Sequence, residues 1–245
     1  MNLTTTNTYE AYGTTGYLRQ LSQTLPGGNT TTANTYYTET GGYAAQVNAG
    51  TTVCGLDANT PQYGQLMTST GATPATGTAI VTAYVYDLYG RVVATKRTGD
   101  TDWSCTTYDL RGRVTKQTYA ATTSAPSRTA TFGFTDSSGD PLTSWGQDDG
   151  VPGSPTSGRI TTVTDLLGRM TSYTDVWGTV TLNSYNVLSQ LTDTRTTPAG
   201  QAQKSEQFQY DPDGRVTLVQ KSGVQALATA TYTNGELTGV AYPSS

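Results

Sequence analysis

The 245-residue sequence contains no histidine, only 2 cysteines and 3 tryptophans, and only 13% charged residues. Without histidine the commonest general base and the commonest metal ligand are both missing, which excludes Ser-His-Asp and Cys-His nucleophilic machinery. Cys54 and Cys105 are too few for a structural zinc site, which takes four Cys or His ligands. They form one disulfide or stay as two free thiols, and their spacing alone does not decide between these. The 14 Lys and Arg residues are thinly scattered in a chain of net charge -4, so no basic stripe awaits a nucleic acid. No run approaches the roughly 18 apolar residues of a membrane span, so membrane insertion is not expected. The residues after Met1 have neither a basic nor an apolar signal region, which reads as a cytoplasmic chain or one cut from a longer chain. No metal cluster, phosphate loop or nucleophile-base pair can be assembled, so the chain is expected to be non-enzymatic and without a cofactor.

What is present is threonine and tyrosine. The 52 Thr and 17 Tyr are good strand formers, while only 4 Glu and 4 Lys favour helices, so composition points to β structure. Leu, Ile, Val and Phe are scarce enough to suggest disorder, but that reading also needs a high net charge.

One phrase recurs along the chain: aromatic, Asp, two variable residues, Gly, Arg, Val. It stands in full as Tyr86-Asp87-Leu88-Tyr89-Gly90-Arg91-Val92, as Tyr108-Asp109-Leu110-Arg111-Gly112-Arg113-Val114, and as Tyr210-Asp211-Pro212-Asp213-Gly214-Arg215-Val216. Looser copies begin at Thr164 (with Asp165, Gly168 and Arg169), at Thr174 (with Asp175 and Gly178) and at Tyr185 (with Asn186 and Ser189). Phe134 to Gly139 and a shortened Tyr232-Thr233-Asn234-Gly235-Glu236-Leu237 belong with them. Gly90 and Gly112 are 22 residues apart, Gly214 and Gly235 are 21 apart, and Gly168 and Gly178 are 10 apart, spacings that fit strand-turn units.

The phrase has the chemistry of a hairpin tip. Asp accepts hydrogen bonds from the backbone two residues on, and Gly supplies a positive φ, together a type I turn closing into a bulge. Tyr before the turn and Val after it are placed to pack together. The repeated Arg reads as a register and solubility residue, since an exposed ion pair with its Asp contributes about 0 to 1 kcal/mol.

Repeated in this way, Tyr-Asp-x-x-Gly-Arg-Val resembles the YD repeat of the Rhs (rearrangement hot spot) and YD-repeat proteins. The resemblance is specific from about Tyr84 to Pro243; Tyr63-Gly64-Gln65-Leu66 and Tyr9 to Leu18 are decayed copies at best. It implies an all-β fold of successive hairpins forming a curved or spiralling sheet, part of a β-shell. In full-length members such a shell encloses a C-terminal toxin domain. The family's core signature, its aspartyl autoprotease segment and a toxin domain are not found here, so the expectation is a section of wall from a secreted or cell-surface bacterial protein. Its partners would be the remainder of a longer chain or an enclosed effector, with self-association through open strand edges.

The organisation expected is an irregular Thr/Gly/Tyr-rich β region over 1–80 and a hairpin region over 81–245, forming one continuous unit with a loop or insertion at about 146–158. Turn clusters stand at Pro26 to Asn29 and Gly71 to Pro74, and the threonine runs at Thr4–Thr6 and Thr30–Thr32 read as candidates for disorder. Other candidate features have plainer readings. Asp148-Asp149, a conceivable calcium or acid/base pair, reads as a solvated turn. Asp211-Pro212-Asp213-Gly214 lacks the Glu that ends a calcium loop, since position 222 is Ser. Trp103, Trp145 and Trp177 suit packing more than sugar stacking. Asn2 and Asn29 begin glycosylation patterns, without meaning in a bacterial source. The reading that competes with the shell segment is an extracellular module binding carbohydrate or protein through aromatics on one face.

Overall fold

The computed structural model describes residues 3–12, 17–27, 30–38, 52–150, 158–221 and 225–242. These residues form strands and turns, with no helix among them. The chain clusters into two compact units, Met1–Thr129 and Ala130–Ser245.

The first unit holds β1 (Thr6–Tyr9), β2 (Gln20–Thr24), β3 (Thr31–Tyr36), β4 (Leu66–Thr70), β5 (Val81–Tyr86), β6 (Val92–Arg97), β7 (Ser104–Tyr108) and β8 (Val114–Tyr119). Each pairs antiparallel with the next, β1 through β8. The composition change near residue 80 leaves this pairing uninterrupted: β4 meets β5 through Thr68↔Ala83 and Thr70↔Val81. The threonine runs read as candidates for disorder instead enter strands, because β-branched side chains suit a pleated surface and their hydroxyls pair across it. Thr8 lies 2.7 Å from Ser22, and Thr24 lies 2.9 Å from Thr31. The turn expected at Pro26 to Asn29 lies partly outside the described residues.

The second unit opens within β9 (Arg128–Gly133) and continues through β10 (Thr143–Asp148), β11 (Arg159–Thr164), β12 (Met170–Thr174), β13 (Val180–Tyr185), β14 (Leu191–Thr197), β15 (Lys204–Tyr210), β16 (Val216–Lys221), β17 (Gln225–Thr233) and β18 (Glu236–Ala241). It too is an antiparallel meander from β9 to β18. The loop expected over 146–158 is narrower, because Gly146–Asp148 pair with Ala130–Phe132 and extend β10; residues 151–157 lie outside the described set.

Burial is unevenly distributed. In the first unit Tyr37, Val53, Val85, Tyr86, Val93 and Ala94 form a buried apolar cluster. In the second unit, buried side chains are few, among them Ala130, Thr143 and Asp193, and most strand residues are half-exposed. A sheet with so thin a core needs cohesion from other contacts, and the hairpin tips supply them.

Candidate functional site

The turn of Tyr86–Val92 shows what each motif residue does. Asp87 Oδ1 accepts hydrogen bonds from the backbone N–H of Tyr89 (2.9 Å) and Arg91 (3.0 Å), while Gly90 N–H donates to Asp87 O at 3.0 Å. Arg91 folds back so that Nε and Nη2 both reach Asp87 Oδ2 at 2.7 and 2.6 Å, a fork onto one oxygen that the single ammonium of Lys cannot reproduce. Tyr86 faces Val92 across the strand pair, beside a bulge. Asp109–Arg113, Asp165–Arg169 and Asp211–Arg215 repeat this arrangement, with Nε to Oδ2 distances of 2.8, 2.7 and 2.7 Å.

The degenerate copies keep the geometry with altered chemistry. Asn186 and Gln190 form a neutral version, with Asn186 Nδ2 donating to Gln190 Oε1 at 2.6 Å and Ser189 taking the glycine position at φ 63°. At the β1–β2 tip, Glu10 stands in the Asp position, with Arg19 Nε donating to it at 2.8 Å and Leu18 at φ 57°. The β3–β4 tip carries the same closing bonds, Tyr37 N to Gln65 O at 3.0 Å and Gly64 N to Tyr37 O at 3.2 Å. Tyr37 and Gly64 thus close an ordinary tip, and the described residues 52–63 are extra to it. The shortened copy at Asn234-Gly235 is a two-residue turn with both φ positive, 51° and 85°, as a type I′ hairpin requires.

The Asp175 turn makes the same local bonds, Trp177 N and Thr179 N each reaching Asp175 Oδ1 at 2.8 Å. It joins β12 to β13, however, whereas the other tips of that unit join an odd-numbered strand to the next even one. It therefore lies at the opposite strand ends, which explains the short spacing from Gly168 to Gly178.

The motif's second task is to hold one hairpin to the next. The Arg91 guanidinium lies over the ring of Tyr108, 4.5 Å from its centroid, and Tyr108 Oη donates to Val92 O at 2.8 Å. Arg19 over Tyr36 (4.3 Å), Arg169 over Tyr185 (4.7 Å) and Arg215 over Tyr232 (4.8 Å) repeat the stack. The phenols repeat the bond: Tyr36 to Gln20 O at 2.8 Å, Tyr185 to Met170 O at 2.9 Å, Tyr210 to Leu191 O at 2.7 Å, and Tyr232 to Val216 O at 3.1 Å. Arg is therefore a clamp between hairpins, which corrects its reading as a register and solubility residue. Such a stack contributes about 0.5 to 2 kcal/mol, depending on desolvation. The glycine position matters here too. A Cβ on Gly112, already at φ 79°, would stand 3.6 Å from Arg91 Nη1, and Ser189 is tolerated there with its Oγ accepting from Arg169 Nη1 at 3.0 Å.

The turn carboxylates titrate below their ordinary range. Asp165 is lowered first by the Arg169 side chain, and Asp109 and Asp211 first by the following arginines' backbone N–H groups. For Asp87 burial opposes the shift, but hydrogen bonds from Arg91 outweigh it. Glu10 falls to about 2, chiefly through the Arg19 side chain. Because folded values lie below the unfolded ones of 3.8 and 4.5, this contribution is fully present above those values and is lost as pH falls through the folded ones. Urea midpoints are expected to stay flat from pH 7 to about 5 and to decline below about pH 4; a midpoint still flat at pH 2.5 would contradict the carboxylate-arginine bonding at the tips.

The remaining candidates are spent on packing. Trp145 lies against Gly133 on the neighbouring strand and beneath Arg159, whose guanidinium is 3.9 Å from the ring centroid. Its indole N–H donates to Thr135 O at 3.2 Å, so neither ring face is free for a sugar. Trp103 packs against the buried cluster, and Trp177 is 54% exposed at the β12–β13 turn. Asp148 Oδ1 accepts from Gly150 N at 2.8 Å. Asp193 is buried 2.6 Å from Arg195 Nε, without the alignment of a directed hydrogen bond. Cys54 and Cys105 are joined, with Cα atoms 5.4 Å apart. Among the described residues no group of three or more His, Cys, Asp or Glu side chains could hold a metal ion, and no helix is long and apolar enough to cross a membrane.

No family model matches the chain, and no curated protein matches it. Among solved structures it is similar to a chain of the TcdB2-TccC3-Cdc42 crystal structure, at 13% identity and TM-score 0.36, over 91% of this chain and 12% of that one. A chain of the TcdB2-TccC3 crystal structure without its hypervariable C-terminal region gives 14% identity and TM-score 0.21, over 94% of this chain and 17% of the other. This chain thus spans less than a fifth of the length of either, and likeness at these TM-scores fixes neither fold nor function.

Proposed function

We propose that the chain is a non-catalytic structural segment, a strip of YD-type hairpins forming part of the wall of a β-shell around an effector domain. The observation that carries this reading is the ladder itself. In its best-formed copies the motif's phenol, carboxylate and guanidinium are engaged in holding a turn closed or fastening it to the adjacent hairpin. Groups committed in this way are withdrawn from acid-base or nucleophilic work. The partners proposed are the remainder of a longer chain and its enclosed effector, with strand edges as the joining surfaces. A secreted or cell-surface location belongs to the same proposal and is supported by the cystine, since such bonds persist in oxidising compartments.

A second reading, a protein-binding surface, is favoured by the two variable motif positions. Leu88 and Tyr89 are 76% and 84% exposed, Leu166 and Leu167 are 90% and 71%, and Val187 and Leu188 are 100% and 71%. Light scattering paired with far-UV circular dichroism separates the two. A folded, β-rich dimer or larger assembly that persists when Leu166, Leu167, Val187 and Leu188 are changed to Ser supports joining through strand edges. A folded monomer, or an assembly abolished by those tip changes, moves the surface reading ahead.

A further inference from the structure

We infer that the neighbouring tips of β11–β12 and β13–β14 are a lipid-contacting surface, seating Leu166, Leu167, Val187 and Leu188 at the acyl boundary of a bilayer. The inference takes the exposed tips of the protein-binding reading and assigns them a different partner. It does not depend on whether the strip is a shell wall.

The two tips lie at the same strand ends and are adjacent, since β12 pairs with β13. They are also tied directly: Arg169 Nη1 donates to Ser189 Oγ at 3.0 Å, and the Arg169 guanidinium lies 4.7 Å from the Tyr185 ring centroid. With strands about 4.8 Å apart, equivalent positions in the two hairpins stand about 10 Å apart, so the four aliphatic side chains form one cluster. All four are exposed, Val187 completely. The cluster stops on both sides, because Ser137 and Ser138 hold the equivalent positions of the β9–β10 tip, and Pro212 and Asp213 those of the β15–β16 tip. An exposed aliphatic patch with a polar rim marks an interaction site.

Charge, backbone and shape favour lipid as the occupant. Asp165 and Arg169 neutralise each other at 2.6 Å, and the second tip replaces that pair with the amides of Asn186 and Gln190, so the cluster carries no net charge. The backbone N–H groups of Asp165, Leu167, Gly168 and Arg169 bond within their turn, as do those of Asn186, Leu188, Ser189 and Gln190, at 2.9 to 3.0 Å. Entering an apolar phase, where unsatisfied backbone is costly, therefore strips water from few N–H groups. The side chains project from two turns, and four residues fall well short of the roughly 20 to 30 a side of a specific protein interface. A bilayer surface asks for no complementary shape. Contact of this kind is made by turn side chains alone and needs no spanning segment.

The test is co-flotation of the 245-residue chain with phosphatidylcholine vesicles. The chain is expected to float with them, undiminished by added NaCl. The variant Leu166→Ser/Leu167→Ser/Val187→Ser/Leu188→Ser should lower the partition coefficient at least about tenfold while keeping the same urea midpoint, since these side chains are exposed. An environment-sensitive fluorophore on Leu188→Cys should shift to the blue on vesicle binding, and the same probe on Trp177→Cys, at the opposite strand ends, should not. No flotation of the unaltered chain would overturn the inference, as would binding abolished by salt or binding that the serine variant retains. Self-association that the serine changes abolish, without vesicle binding, would also overturn it and assign the tips to a protein partner.

Discussion

Replacing Gly133 with alanine is expected to destabilise the second unit by about 3 kcal/mol, at the upper end of the usual cost of overpacking. A Cβ at that position would lie 2.1 Å from both Cε2 and Nε1 of Trp145, far inside any real contact. The ring cannot step aside cheaply, because Arg159 stacks on it and Thr135 O holds its indole N–H. Gly146 on the adjacent strand is the control: a Cβ there meets Phe132 at 3.4 Å, an ordinary contact, so Gly146→Ala should cost under about 1 kcal/mol. Urea denaturation followed by tryptophan emission measures both. Equal costs would contradict the packing described for Trp145.

Gln62→Leu is expected to be comparably severe in the first unit, at about 2 to 4 kcal/mol. The bulge at Tyr86 leaves a backbone N–H and C=O to be satisfied from outside the strand pair. The Gln62 amide satisfies both, accepting from Tyr86 N at 2.8 Å and donating to Tyr86 O at 2.7 Å, while itself only 1% exposed. Leucine fills a similar volume but orphans two buried polar groups, each costing about 1 to 3 kcal/mol. Burial also pushes the Tyr86 phenol up to about 12. Hydrogen exchange at the Tyr86 amide should rise in step with the lost stability. A loss under about 1 kcal/mol would show that the amide pair is not anchoring the tip.

Legibility from sequence follows the range of the interactions. The tips were readable because their bonds are local: Asp87 reaches the backbone two and four residues on, and Asp109, Asp165 and Asp211 do the same. The all-β character followed from the same turns and the strand-forming composition between them. The arginine's larger role was not readable, because its second partner lies in the following hairpin and no local pattern ties Arg91 to Tyr108 or Arg169 to Tyr185. Yet a signal is present in hindsight. Thr164 replaces the aromatic where the preceding tip carries Asp140 in the arginine position, so there the stack has neither member. Asp175 shows the opposite failure, since its local chemistry matches the repeat while its place between β12 and β13 does not. Glu10 and Arg19 kept the clamp in a copy where sequence similarity had faded.

Cohesion between successive hairpins rests on their arginine and tyrosine acting together, and a double-mutant cycle on Arg91→Met and Tyr108→Leu tests that most directly. Arg91 also binds Asp87, and Tyr108 also donates to Val92 O, so single changes mix several losses. The cycle cancels them and leaves the coupling between the two side chains. From urea unfolding at pH 7 the clamp predicts a coupling of about 0.5 to 1.5 kcal/mol, favouring the pair. Additive effects, with a coupling within about 0.3 kcal/mol of zero, would mean that the stack contributes nothing and that the hairpins are held by their backbone ladders alone.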